Sequence, residues 1–339
     1  MAKSWKDLLL STGLPLEHDV KKYLEARGCI ASHEYTYLKP DEQGHEKQFS
    51  YDLDAAYIRD EHFVELMVEC KYRHPTVRWV FTPDTFEGPD EVYATAFLHP
   101  FDHFVSACFP FKCEFPRSLA PCCSKGVELT SDGANDKAIT QALSQLAFGF
   151  APKLASAIEH QVLRLLGSNS NMIFFHVPVI VTTAKLFRLC ENVTLNAIRD
   201  ASTFEEVSNE EKCVLVKYRP GVGLQNHNLQ ALREVEARLG EETLRSAIKT
   251  FTDDLPHLFS VLSDRSPRLV IVISVADGWQ AFDDFFSYIN DVLAPSEALI
   301  AEIQAREVAR REKFRLFEQR FGRPPNIETP ASGEQGRGE

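Results

Sequence analysis

The segment Phe49–Arg73, FSYDLDAAYIRDEHFVELMVECKYR, constrains the fold of this chain more than any other. Two runs of strand length flank the polar residues Arg59, Asp60, Glu61 and His62. Side chains two apart on a strand share a face. In the first run Phe49, Tyr51, Leu53, Ala55 and Tyr57 form an apolar face, which leaves Asp52 and Asp54 together on the other. In the second, Val64, Leu66, Val68, Cys70 and Tyr72 face the core, while Glu65, Met67, Glu69 and Lys71 share the opposite side. A hairpin built from these runs sets an aspartate beside a Glu-x-Lys pair.

Register decides which aspartate that is. A two-residue loop at Asp60-Glu61 sets Asp52 opposite Glu69, and a four-residue loop sets Asp54 there. Asp-Glu lacks the glycine or asparagine that favours tight hairpin turns, which argues for the longer loop. Both aspartates therefore stand as candidate catalytic residues with Glu69 and Lys71.

The residue types suit a hard divalent cation. Mg2+ prefers oxygen ligands, keeps several waters, and needs one or two carboxylates plus a substrate phosphate. Acids on adjacent strands can supply them. Bound metal polarises a phosphoryl oxygen and lowers the pKa of its water. A lysine on the same face can orient that water or offset developing negative charge. Taken singly, D-x-D and E-x-K are short patterns, equally compatible with a solvated sheet face carrying a cross-strand ion pair.

An aspartate, a hairpin, then Glu-x-Lys closing an apolar strand resembles the PD-(D/E)XK nuclease superfamily, which has the restriction-endonuclease-like fold. The matching residues are Asp52, Glu69 and Lys71, within Asp52-Leu53-Asp54-Ala55 and Val68-Glu69-Cys70-Lys71. Many members carry a glutamate on the helix before the hairpin. Glu17, in the stripe of Val20 and Leu24, matches it. No proline precedes the aspartate, unlike in many members.

The resemblance is good over about residues 14–73 and looser beyond. It favours Asp52 over Asp54. It implies a metal-dependent endonuclease using Mg2+ or Mn2+, with Glu17, Asp52 and Glu69 at the metal and Lys71 assisting water. The implied substrate is nucleic acid, DNA in preference to RNA. The alternative is a catalytically silent protein of the same fold, acting as a nucleic-acid-binding or assembly subunit.

The implied fold is α/β: a restriction-endonuclease-like mixed sheet flanked by helices, with insertions and a C-terminal helical extension. We expect one domain over 1–295, its core at about 14–185 interrupted by an irregular insertion at about 74–134. A charged helix at 296–321 and a disordered tail at 322–339, rich in Pro, Gly, Ser, Glu and Arg, follow.

Within the insertion, Cys108, Cys113, Cys122 and Cys123 lack the paired spacing of structural zinc sites. They are expected as buried, reduced thiols. Residues 135–166 read as helix, broken between Gly149 and Pro152. By resemblance its Gln141 and Gln145 could reach the active site, though as surface glutamines they need no role. Residues 172–183 form a continuous apolar run, the mark of a strand buried on both faces. Pro178 within it suggests an edge or bulge. Cys213–Tyr218 and Leu269–Val275 are further strands. Helices around 227–250 and 279–293 cover the sheet.

At 339 residues with 44% hydrophobic content the chain can bury a large core. Its net charge of -12 excludes a global basic field, so affinity for nucleic acid must come from a local patch or from a partner. A protein partner or a homodimer is compatible with that balance. No run approaches eighteen apolar residues and no secretory signal is apparent, so a cytoplasmic protein with no membrane span is expected. No glycine-rich phosphate loop supports a nucleotide-directed phosphohydrolase.

Overall fold

The computed structural model describes residues 4–40, 45–84, 95–105, 115–167, 172–248 and 254–321. They form an α/β structure in which a twelve-stranded mixed sheet lies between helical layers. Helices α1 (Trp5–Ser11) and α2 (Leu14–Ala26) lead into three consecutive antiparallel strands: β1 (Ile30–Pro40), β2 (Glu46–Arg59) and β3 (His62–Lys71). The chain then adds β4 (Arg78–Pro83), β5 (Pro100–Phe101), β6 (Cys122–Thr130) and β7 (Gly133–Asn135) before the long helix α3 (Lys137–Gly167). From α3 it enters β8 (Ile173–Thr182), which pairs parallel to β3.

Beyond β8 come β9 (Lys185–Leu189), α4 (Leu195–Asp200), β10 (Ser208–Glu211), β11 (Cys213–Lys217), α5 (Val222–Leu239) and α6 (Glu241–Ala247). The chain closes with α7 (Leu255–Arg265), β12 (Leu269–Ser274), α8 (Gln280–Leu293) and α9 (Glu297–Phe321). The sheet order is β1-β2-β3-β8-β12-β11-β6-β4-β9-β10, with β5 on β8 and β7 on β6.

Apolar runs decide which strands lie centrally. Every residue of β8 is buried, as are Leu269–Ile273 of β12, because helices cover both faces. On one face Leu16, Val20 and Leu24 of α2 pack with Phe282, Phe285 and Ile289 of α8. On the other, Leu146, Phe150 and Ile158 of α3 pack with Leu232 and Val235 of α5 and Phe259 of α7. Gly149 lets α3 approach closely, since a Cβ there would stand 3.0 Å from the Tyr51 ring. None of the described helices is long and apolar enough to cross a membrane.

Three expectations change and one, that of buried cysteines, is met at Cys122 and Cys123. The region 74–134 is not wholly irregular, because β4 and β6 are paired members of the sheet. Cys122 and Cys123, neighbours on β6, are buried in opposite cores; Cys108 and Cys113 lie outside the described residues. The helix does not break at Pro152: α3 continues through it. Proline lacks the N–H that would bond the carbonyl four residues back, and the Phe148 carbonyl instead takes a hydrogen bond from His227 Nε2 at 3.1 Å. Pro178 sits in a central strand rather than at an edge. On the side away from β3, β8 pairs with β5 at Phe174 and Phe175 and with β12 from Val179 onward, so Pro178 falls between the two ladders.

The charged C-terminal helix is present as α9. Its Arg306, Arg311 and Arg315 pair with Glu302, Glu307 and Glu312 of the same helix, as a solvated helix would. The proposed tail lies outside the described residues.

Candidate active site

The hairpin has the short loop. Arg59 pairs with His62, and Asp60 takes a left-handed backbone (φ 51°), which aspartate tolerates better than most residues. The ladder runs back to Leu53↔Val68 and stops. Beyond that point β2 stays with β1 from Tyr51↔Tyr35 to Glu46↔Pro40, while β3 stays with β8 as far as Lys71↔Thr182. The two strands therefore fork at Asp52 and Glu69, which the register sets opposite one another. At the fork the Asp52 carboxylate replaces a ladder partner and accepts the Cys70 N–H at 2.7 Å.

The fork also changes the faces of β2. Leu53 and Ala55 pack on the α2 side, as the alternation predicts, but Tyr51 packs on the α3 side. The face carrying Met67 and Glu69 is no open surface: Met67 is buried in the α3-side core and Glu69 is buried as well.

Four sequence candidates gather at this fork. Glu69 is 1% exposed. Its Oε1 is paired with the Lys71 ammonium, and its Oε2 has no hydrogen-bond partner among the described residues. Burial, then the charge of Asp52, push its carboxyl up to about 7 against the pull of Lys71. Asp52 is half-buried. Burial raises its pKa, opposed by the Cys70 N–H and Lys71. Glu17, at the first turn of α2, is raised by burial and then by Asp52, with Lys71 acting the other way. Glu34, exposed at φ 57° on β1, adds its charge to both Asp52 and Glu17.

One ammonium thus faces several carboxylates, one of them holding a buried, unpaired oxygen. Such a set is short of positive charge, and its all-oxygen donors suit a hard divalent cation. Among the described residues, no three His, Cys, Asp or Glu side chains are arranged to hold one metal ion together.

Asp54 goes elsewhere. Its Oδ2 is 2.8 Å from Lys153 Nζ and its Oδ1 accepts from the Tyr51 hydroxyl at 2.9 Å. Lys153, 6% exposed on α3, also bonds Glu65 at 2.7 Å and lies 3.8 Å over the Tyr35 ring. Glu65 completes the network with His176 Nδ1 at 3.0 Å. Burial alone would raise the Glu65 pKa, but the His176 hydrogen bond and charge and the Lys153 ammonium bring it down to about 2. Lys153 is raised by Glu65 and Asp54 against its burial. Asp54 is therefore a member of a buried ion network, and of the two aspartates Asp52 alone stands at the fork.

Sequence reasoning did not find Lys153. The available signal was a lysine inside an apolar stretch of helix, Phe148 to Ile158, where a cation needs buried partners. His176 is buried in the core. Gln145 donates from Nε2 to the Ser50 carbonyl at 3.0 Å, and Gln141 is exposed.

No protein-family model, curated protein or solved structure matches this chain.

Proposed function

We propose that the chain is a divalent-metal-dependent nuclease hydrolysing phosphodiester bonds in nucleic acid at the Asp52–Glu69 fork. The observation that carries this reading is the buried Glu69 carboxylate opposite Asp52, with one oxygen on Lys71 and the other unpaired among the described residues. The elements α2, β1, β2, β3, α3 and β8, with β4–β7 inserted between β3 and α3 and β8 parallel to β3, support the reading because apart from that insertion they follow the α-β-β-β-α-β plan of restriction-endonuclease-like proteins.

Glu69 and Asp52 are the residues to hold the cation, with Glu17 supporting it or its waters. Mg2+ or Mn2+ held there supplies Lewis-acid polarisation of a phosphoryl oxygen and a more acidic water. The Cys70 N–H keeps Asp52 oriented toward the fork. Lys71, anchored on Glu69, presents an ammonium beside the reacting phosphate, where it offsets developing charge.

Mn2+ binding followed by electron paramagnetic resonance tests this reading. Wild type should titrate to one or two sites, and Glu69→Gln should lose binding by about 10–100-fold. Equal Mn2+ affinity in both proteins would contradict it.

A second reading is a binding or assembly subunit that keeps the fold without turnover. The Lys71–Glu69 pair and the absence, among the described residues, of a three-ligand set favour it. A folded protein that binds nucleic acid with no Mn2+ site would establish it.

A further inference from the structure

Between α3 and the β1–β2 arm runs a cleft of about 520 Å3. One wall is a polar stripe of α3: Lys137, Thr140, Gln141, Ser144 and Gln145, spaced as one helical face. The other is Tyr37, Lys39 and Phe49. Tyr37 and Phe49 are cross-strand neighbours with ring centroids 6.3 Å apart. Lys39 Nζ lies 3.6 Å over the Phe148 ring and 5.3 Å from that of Phe49, between two aromatic rings. Lys39 and Lys137 make the lining net positive against Asp136, in a chain of net charge -12. Tyr37 ties the two walls of the cleft together, its hydroxyl donating to the Gln145 carbonyl at 2.7 Å, and the charge of Glu69 acts on it from the fork side.

We propose that this cleft takes one unpaired polynucleotide strand, with Lys39 and Lys137 on phosphates and the half-buried Phe49 ring stacking on a base. The proposal rests on the nuclease reading and deepens it by naming the substrate as single-stranded.

Duplex suits the cleft poorly on two counts. A duplex-binding protein neutralises about 6–10 phosphates with basic side chains, whereas two lysines line this wall. A duplex keeps its bases stacked on each other and offers no ring face to Phe49, whereas unpaired bases stack freely on aromatic side chains. The hydroxyls and amides along α3 can meet the hydrogen-bonding edges of unpaired bases. Their donor and acceptor capacity does not prefer ribose over deoxyribose.

The test is fluorescence anisotropy with 5′-labelled oligothymidylate, oligouridylate and a duplex, each of about twelve nucleotides, in EDTA so that nothing is cut. Single strands should bind at least about ten-fold tighter than duplex. Phe49→Leu, which keeps an apolar side chain against Tyr37 but no ring face, should weaken single-strand binding about 5–100-fold. Lys39→Gln should lower the salt slope of binding by about one.

Equal binding of duplex and single strand, or Phe49→Leu and Lys39→Gln proteins that are folded by circular dichroism and bind like wild type, would overturn the proposal. Glu69→Gln separates the two readings: it should retain single-strand binding and lose cutting in Mg2+. A wild type that binds single strands as described but cuts nothing in Mg2+ or Mn2+ would remove the nuclease reading and leave the cleft assignment standing.

Discussion

The carboxylate of Asp52 accepts the backbone N–H of Cys70 at 2.7 Å, and Cys70 is the residue between Glu69 and Lys71. One hydrogen bond therefore ties the acid of one strand to the Glu-x-Lys of the next where their ladder ends. It fixes Asp52 in the plane of the fork and leaves the adjacent side chains to face each other. Asp54, two residues away, has its charge absorbed by Lys153.

The two aspartates should consequently fail in different ways. Asp52→Asn should reduce cleavage by about 100-fold or more while leaving the fold intact, because it changes the donor set of the proposed metal site. Asp54→Asn should keep most activity and lose stability, by about 1–3 kcal/mol, because it weakens a buried charge-assisted bond. Cleavage rates set beside urea denaturation midpoints check both.

Lys153 is the more costly position to change. Lys153→Met leaves the buried carboxylates of Asp54 and Glu65 without their cation, a loss of about 3–5 kcal/mol. Adding Asp54→Asn and Glu65→Gln to the same chain should recover much of that loss, since neutral side chains need no counter-charge. A single-site loss below about 1 kcal/mol in equilibrium denaturation would contradict the network's role.

Two buried groups give pH dependences of opposite sign. The Glu69 carboxyl is raised from 4.5 to about 7, so the folded state binds more protons than the unfolded state in that window. Stability contributed by this group is lost as pH rises from about 4.5 to 7. In EDTA, wild type should weaken relative to Glu69→Gln across that interval, and Mg2+ should reverse the trend by taking the proton's place. His99 runs the other way. Its Nε2 accepts the Arg268 N–H at 2.8 Å, which requires the neutral ring, and burial brings its pKa from 6.5 down to about 3. Stability from His99 is present above about 6.5 and is lost as pH falls toward 3. Melting temperatures measured from pH 3 to 8 for wild type, Glu69→Gln and His99→Gln check both signs.

His227 carries a smaller prediction. Its Nε2–H serves the Phe148 carbonyl that Pro152 leaves without a helical donor. His227→Leu should cost about 1 kcal/mol, and Pro152→Ala should lessen that cost by restoring the helical N–H. A double-mutant cycle on denaturation free energies measures the coupling.

The legible parts of the sequence were those set by local pattern. The apolar faces of Leu53–Tyr57 and Val64–Cys70 follow strand alternation, and the buried runs at 173–182 and 269–273 name the central strands. The switch that puts Tyr51 on the opposite face from Leu53 was not legible, because it depends on β2 leaving β3 for β1. Loop length was misdirected by turn chemistry, since Asp60 adopts the positive φ usually given to glycine or asparagine. Strand β1 was missed because His33, Glu34 and Thr36 are polar and exposed at the sheet edge. Lys153 meets its acids across 88 and 99 residues of chain, a distance no periodicity spans.

The proposed reaction is metal-dependent hydrolysis at Glu69 and Lys71. A cleavage assay tests it most directly, on single-stranded, duplex and supercoiled DNA and on RNA, in Mg2+, Mn2+ and EDTA, with wild type beside Lys71→Ala. Wild type should cut in either metal and not in EDTA, and a folded Lys71→Ala protein should lose about 100-fold or more of that cutting. Equal cutting by wild type and Lys71→Ala, or cutting undiminished in EDTA, would contradict it.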